Sequence, residues 1–445
     1  MNMQIVERGG SPLAARRRAL LSAFTVDPMA GSESLVGWQR AVYAARHFDT
    51  WVICAPHVSK EGIDAYLRVH GPVPGLEIVY VEEPKWMEML EHVPGLYYLS
   101  YNLWQRRAYR AALRLDTDVG FDLVHQVNLG GYREPGYLWR LGSPFVWGPI
   151  GGTQNYPMRF LVQAGIGGGL REAVRTMLNT LTLRMGRRIR QAAARSAAIR
   201  AANSTVADDL GRALDCKQIP VMLETGAPPV ANGAAVRPTA DVFRVMWAGE
   251  FKAFKALPML LDALRILPDD VAFELTVVGD GRELGRWQHR ARRLGLDDRI
   301  RWTGWIDHER MVEQYEDADL FVFTSLRDTS GNVVLEALAN GVPVVAPAHQ
   351  GVGDIVTDTC GVLVPVTTHW EMVRGYRDAI ASIARDRARH RHLSDGARER
   401  ADHYSWERQG ERMLRIYDGV LTAPGVESSA EASGPNAPSA RPGWS

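Results

Sequence analysis

Cysteine is sparse in this chain. Cys54, Cys216 and Cys360 stand far apart among 445 residues. An odd number at such separations fits neither a disulfide framework nor metal-ligand spacing, and it favours a reducing cytoplasm. Long apolar runs are lacking as well: none approaches the roughly 20 residues of a transmembrane helix. The start of the chain has no signal-peptide core. The run Ala-Leu-Leu-Ser-Ala-Phe after Arg16-Arg17-Arg18 is too short for one, and is expected to open a βα unit. Nor is there an excess of one charge. The net charge of +1 removes the global field that nucleic acid or an anionic membrane would demand. Residues 157–207 are the basic exception, with nine Arg and one acid, Glu172. Aromatics are scarce there, which argues against nucleic acid. The segment 171–200 reads either as a solvated helix pair or as a peripheral contact with the inner face of a membrane or a polyprenyl-diphosphate.

What is present suits two α/β domains. A chain of 445 residues exceeds one typical core. Short apolar segments alternate with amphipathic ones, the pattern of parallel sheets covered by helices. Strands are expected at 18–24, 50–55, 77–81, 122–127, 144–147, 198–202 and 219–223. In the second half they are expected at 243–248, 273–278, 300–304, 320–324, 343–346 and 361–364. The composition divides the chain into a flexible start (1–15), an N-terminal Rossmann-like domain (16–228) and a Pro/Gly/Ala-rich linker (229–241). A C-terminal Rossmann-like domain (242–404), a last helix (405–421) and a disordered tail (422–445) follow.

The stretch 321–347 carries the strongest chemical signal. It reads as strand, polar turn, short helix, Gly stop and strand. Asp328 lies in the turn, and Glu336 is the only charge in an apolar helix. A buried Glu336 would cost several kcal/mol without a partner, so it must face outward or meet a dedicated donor. Two acids flanking a helix N-terminus suit a ligand with hydroxyls and phosphates. Ser330, Gly331, Asn332 and Val333 form that N-terminus.

This stretch resembles the nucleotide-sugar signature of the family 4 retaining glycosyltransferases: two acids at this spacing, then Gly341, Pro343 and two Val. Asp328 stands where the family usually has Glu. The resemblance covers roughly 17–421 and is strongest from 243 on. It implies the glycosyltransferase B (GT-B) fold, with two Rossmann-like doubly wound domains facing a central cleft and a C-terminal helix crossing back. It also implies that the C-terminal domain holds a nucleoside-diphosphate sugar and the N-terminal domain an acceptor. Gly249 and Lys255 match the family's phosphate-binding turn, but Glu250 replaces the usual Arg, leaving Lys252 as a substitute cation or Glu250 with another role. Gly279 and the segment Thr303-Gly-Trp-Ile, with Trp305 and Ile306, match the edge of the nucleotide site. His125 occupies the position of a His near the donor sugar. Gly31, Ser32 and Glu33, opening a helix with Ser32 as its cap, and Gly151 in Trp147-Gly-Pro-Ile-Gly, are expected on the acceptor side.

The resemblance implies metal-independent transfer of a sugar, with retention, to a glycan, lipid-linked or small-molecule acceptor. Asp328, His125 and Lys255 are the catalytic candidates, and no cofactor or metal is expected. Asp317-Ala-Asp319 imitates a metal motif but is read as structural. The alternatives are a non-catalytic nucleotide- or sugar-binding protein and a Rossmann oxidoreductase. The oxidoreductase would need a dinucleotide fingerprint that Gly279-Asp-Gly281 does not supply.

Overall fold

The computed structural model describes residues 3–5, 16–91, 93, 96–163, 165–216, 218–230 and 242–423. Most of the expected linker and tail, and most of the first fifteen residues, lie outside these. Residues 3–5 are a strand, β1 (Met3–Ile5), where a flexible start was expected.

The N-terminal sheet continues with β2 (Arg18–Ala23), β3 (Asp49–Cys54), β4 (Leu76–Val81), β5 (Leu123–Asn128), β6 (Phe145–Ile150) and β7 (Ser196–Ala201). Its order is β1-β4-β3-β2-β5-β6-β7, with β1 antiparallel on β4 and the other pairs parallel. The C-terminal sheet holds β8 (Phe243–Ala248), β9 (Phe273–Val278), β10 (Ile300–Gly304), β11 (Leu320–Val322), β12 (Val344–Pro347) and β13 (Gly361–Val364). Its order is β10-β9-β8-β11-β12-β13, parallel throughout. Both sheets therefore reverse winding once, between β2 and β5 and between β8 and β11. In doubly wound sheets, ligands bind at the carboxyl ends of the strands beside that reversal.

Helices cover both faces, so the strands are apolar on both sides. In β12, every residue is buried. The segment 219–223 is not a strand, as its apolar pattern suggested. A single bridge joins Ala201 to Val221, because Pro220 has no N–H with which to extend a ladder.

The last helix, Trp406–Leu421, leaves the C-terminal domain and packs on the N-terminal one. Met413, Tyr417 and Val420 join the core around β2, β3 and the helix Ser32–Ala45. Ser405 caps the helix through the Arg408 amide. The buried Arg40 guanidinium donates to the carbonyls of Gln409 and Leu223, each at 3.0 Å. Among the described residues, no helix is long and apolar enough to cross a membrane.

Candidate functional site

Beside the β8/β11 reversal, two loops are stitched together. After β8 the chain turns through Glu250 to Lys255, and after β11 it runs from Phe323 to Gly331. The Thr324 hydroxyl donates to the Lys255 carbonyl at 2.7 Å, and the Leu326 amide to the Phe254 carbonyl at 2.9 Å. The Trp247 indole donates to Thr324 Oγ1 at 2.9 Å. These bonds bring Lys255 Nζ to 2.5 Å from Asp328 Oδ2, with both side chains about four-fifths buried. A largely buried pair of this kind fixes both groups where neither could be placed by its own flexible stem.

The helix Asn332–Ala339 starts at Gly331, which takes the left-handed conformation (φ 68°). An added Cβ there would also meet Val352 Cγ2 at 2.8 Å, so glycine alone fits on both counts. The free amides of this helix start lie next in the chain to the Asp328 pair. Glu336 meets a dedicated donor: the Tyr315 hydroxyl lies 2.9 Å from Glu336 Oε2 and 3.2 Å from the Val333 carbonyl. Burial, and then the Glu336 charge, push the Tyr315 phenol well above its ordinary range, so it stays a donor.

Gly249, Gly279 and Gly304 form a backbone platform across the ends of β8, β9 and β10. The Gly249 amide donates to the Val278 carbonyl at 3.0 Å, and Gly279 to Gly304 at 2.9 Å. A Cβ on Gly279 would lie 2.1 Å from the Gly249 carbonyl oxygen. Trp305 is exposed beyond this platform, and Ile306 packs against the core below it. At the position of the family's Arg, Glu250 lies 2.6 Å from Lys252. Both side chains keep substantial exposure to solvent. Asp319 accepts from the Arg244 amide at 2.8 Å, which fixes the start of β11.

The N-terminal domain reaches this loop from several sides. Asn203 Nδ2 donates to the Thr329 carbonyl at 2.8 Å, and the Ser330 hydroxyl donates to Glu224 Oε1 at 2.7 Å. Gln350 takes the Asp328 amide at 2.7 Å on Oε1 and donates to the Asn155 carbonyl at 3.0 Å. Arg327 pairs with Glu172 at 3.1 Å and lies over the Phe254 ring. Burial pulls the Arg327 guanidinium down to about 10, with the Arg175 charge adding to the effect. A Cβ on Gly151 would lie 3.0 Å from Thr329 Cγ2 and 3.3 Å from Glu224 Oε2, so Gly151 does line this junction.

Glu224 escaped the sequence reading. Its only signal was a lone acid inside a Pro/Gly/Ala-rich segment. Burial, and then the Glu33 charge, raise its carboxyl to about 8. Glu33 lies in the first turn of the helix Ser32–Ala45, where the helix dipole favours a carboxylate. Burial outweighs the dipole and raises Glu33 to about 7. Ser32 is not the cap it was expected to be. The cap position is Gly31, whose extended backbone carries no side chain to bond the first amides.

His125 is placed differently from expectation. Its imidazole is buried within the N-terminal domain. Nε2 donates to the Gly148 carbonyl at 2.6 Å, which leaves Nδ1 to accept from the Tyr417 hydroxyl, also at 2.6 Å. Burial lowers it to about 4, so it is neutral and fully bonded. It joins the last helix to β5 rather than facing the Asp328 loop.

Residues 239–400 match the family model described as glycosyl transferases group 1. This segment is similar to the group 1 glycosyltransferases. The chain is 30% identical over 250 residues to a D-inositol 3-phosphate glycosyltransferase of Xylanimonas cellulosilytica, which covers 51% of this chain and 58% of that protein. The chain spans about half the length of the curated relatives it matches. Among solved structures, it is similar to a sucrose-phosphate synthase from Thermosynechococcus elongatus (TM-score 0.62, 20% identity, 91% of this chain and 99% of that one). It is also similar to Anabaena HepE in complex with UDP and glucose (TM-score 0.53, 17% identity, 91% and 100%). These likenesses, with the two reversed sheets and the returning helix, make the fold GT-B.

Proposed function

We propose that the protein transfers a sugar from a nucleoside-diphosphate sugar to an acceptor hydroxyl, with retention and without a metal ion in the transfer step. One observation carries this reading: Lys255 and Asp328 are locked together beside the open N-terminus of the helix Asn332–Ala339, at the C-terminal winding reversal. The Lys255 ammonium and the amides at Gly331 and Asn332 supply positive potential for a departing diphosphate. Asp328 accepts from sugar hydroxyls while holding Lys255. Glu336, oriented by Tyr315, accepts from ribose hydroxyls. Anabaena HepE, similar in fold, was solved with UDP and glucose, which supports a nucleotide of this class. The cross-domain bonds to Thr329, Ser330 and Arg327 support a closed cleft in which water is kept from the donor.

The test is a thermal-shift panel of UDP, GDP, ADP, dTDP and their sugars, with NAD as control. A ligand at 100 times its Kd stabilises by about 2.7 kcal/mol. One nucleotide diphosphate is expected to shift the transition, and Glu336→Gln to reduce the shift. A response to NAD alone would overturn the reading. Turnover unchanged by EDTA checks the metal-free step.

For the acceptor, a glycan, lipid-linked or small-molecule hydroxyl, we infer that the N-terminal domain meets an anionic membrane surface from the cytoplasmic side. The helix Gly165–Met185 exposes Leu170, Val174, Met177, Leu178, Leu181 and Met185 along one stripe. Arg171, Arg184 and Arg187 lie exposed in the same region. Apolar residues bordered by Arg suit a headgroup boundary. Arg175 and Arg188 turn inward, to Gly152 and Glu134, and do not contribute. Flotation with phosphatidylglycerol vesicles but not phosphatidylcholine ones, lost in Leu170→Asp/Met177→Asp, is the expected result.

A further inference from the structure

A second cluster lies in the N-terminal domain, at the carboxyl ends of β3 and β4. His57 sits in the short turn Pro56–Val58 after β3. Glu83 follows β4, and Glu91 ends the helix Lys85–Glu91. One donor atom from each of the three lies within 4.8 Å of the others. The His57 ring is held between the carboxylates, with Nδ1 3.4 Å from Glu83 Oε2 and Nε2 3.3 Å from Glu91 Oε2. Phe24 braces the ring edge-on, with centroids 5.8 Å apart.

The charge balance in this cluster is incomplete. The Glu83 side chain has no exposure to solvent, and neither of its oxygens accepts a hydrogen bond. Glu91 Oε1 is also buried without a hydrogen bond. An unbonded buried carboxylate costs several kcal/mol. Among the described residues, His57 is the cation paired with these carboxylates, and the Arg107 charge acts on Glu83 from further off. Lys60 pairs with Asp64 at 3.2 Å, and Arg107 Nε donates to the Glu82 carbonyl at 2.9 Å. His57 can bring one positive charge to two carboxylates.

We propose that His57, Glu83 and Glu91 bind a divalent transition-metal ion, zinc in the first instance. An imidazole with two carboxylates is a donor set that zinc accepts, with solvent completing the shell. Ligand atoms about 2.0–2.2 Å from a tetrahedral zinc lie about 3.3–3.5 Å apart, and His57 Nε2 stands at that spacing from Glu91 Oε2, at 3.3 Å. The ion would satisfy the lone pairs that Glu83 and Glu91 leave unused. None of the three residues belongs to the loop assigned to the donor, so metal content is measured separately from transfer.

The test uses the full chain, stripped with EDTA, dialysed against micromolar zinc and assayed for metal by mass spectrometry. Cobalt absorption in the visible provides a second readout. One zinc per chain is expected. His57→Ala and Glu83→Gln should each weaken binding by more than about tenfold, while Glu82→Gln, an exposed neighbour, leaves it unchanged. Cys216→Ser must also leave it unchanged, since Cys216 is the exposed thiol. Circular dichroism confirms the fold of each variant. Should Glu83→Gln fail to fold, His57→Ala decides, because its turn is at the surface. Absence of bound zinc, or equal binding by the wild type and His57→Ala, would overturn the site.

Discussion

The two candidate regions behave in opposite ways. In the C-terminal domain, Lys255, Asp328, Gly331 and Glu336 were chosen from a family resemblance carried by adjacent residues, and the structure gathers them around one helix start. In the N-terminal domain, His125 was chosen on similar grounds, and it is locked inside the fold by Gly148 and Tyr417. The difference lies in how the positions are built. Strand, turn and helix in one continuous segment carry their own geometry, so a motif of adjacent residues keeps its meaning. His125 takes its role from Tyr417, which lies 292 positions away on a returning helix. A histidine at the right strand can be ligand or strut, depending on a partner that local sequence does not specify.

The contrast can be broken by mutation. The largest expected effect is in Lys255→Ala. Loss of a preorganised charge from a leaving-group site lowers kcat by about 10²–10³, with the unfolding transition little changed. An unaltered kcat would detach the pair with Asp328 from the reaction. Next comes Glu336→Gln. Loss of a charge-assisted hydrogen bond, about 1.5–3 kcal/mol, weakens nucleotide-diphosphate binding by roughly one to two decades in titration calorimetry. Tyr315→Phe should move the same constant in the same direction but less.

His125→Ala separates the two regions most directly. It leaves the Tyr417 hydroxyl and Gly148 carbonyl without their partner, a loss of about 1–3 kcal/mol in urea unfolding, with nucleotide affinity intact. Weaker nucleotide binding at unchanged stability would return His125 to the donor site. Its pH dependence has a definite sign. The folded value, about 4, lies below the ordinary 6.5. The stability that depends on neutral His125 is therefore complete above 6.5 and is lost as pH falls through about 4.

The smallest effect expected is in Glu224→Gln. The Glu224 carboxyl is raised from 4.5 to about 8 in the folded state. Its stability contribution is full below 4.5 and is lost as pH rises through about 8. The variant should flatten the fall in urea midpoint over that window and keep the Ser330 contact. An unchanged slope would assign the fall to Glu33 instead.

By itself, the sequence determined the architecture and the donor-side loop. Short, fully apolar runs such as Val344–Pro347, bounded by Gly and Pro, read as strands covered on both faces, and their alternation with amphipathic segments is the pattern of parallel, doubly wound sheets. Asp328 and Glu336, set eight positions apart around a glycine, define a helix start and what it presents. Where local chemistry was subtle, the sequence misled. Residues 219–223 look like a strand until Pro220 is counted for its missing donor, and Ser32 looks like a cap although Gly31 takes that place.

Only the tertiary structure decided which polar groups lost their water and which partners they met. It set Tyr315 behind Glu336, turned Glu250 onto Lys252 and aimed Glu224 at Ser330. It also closed His57, Glu83 and Glu91 on one another from separate strand ends. Desolvation and long-range pairing depend on three-dimensional neighbours. Residues that share a cleft but not a segment carry that information in the fold and not in their spacing.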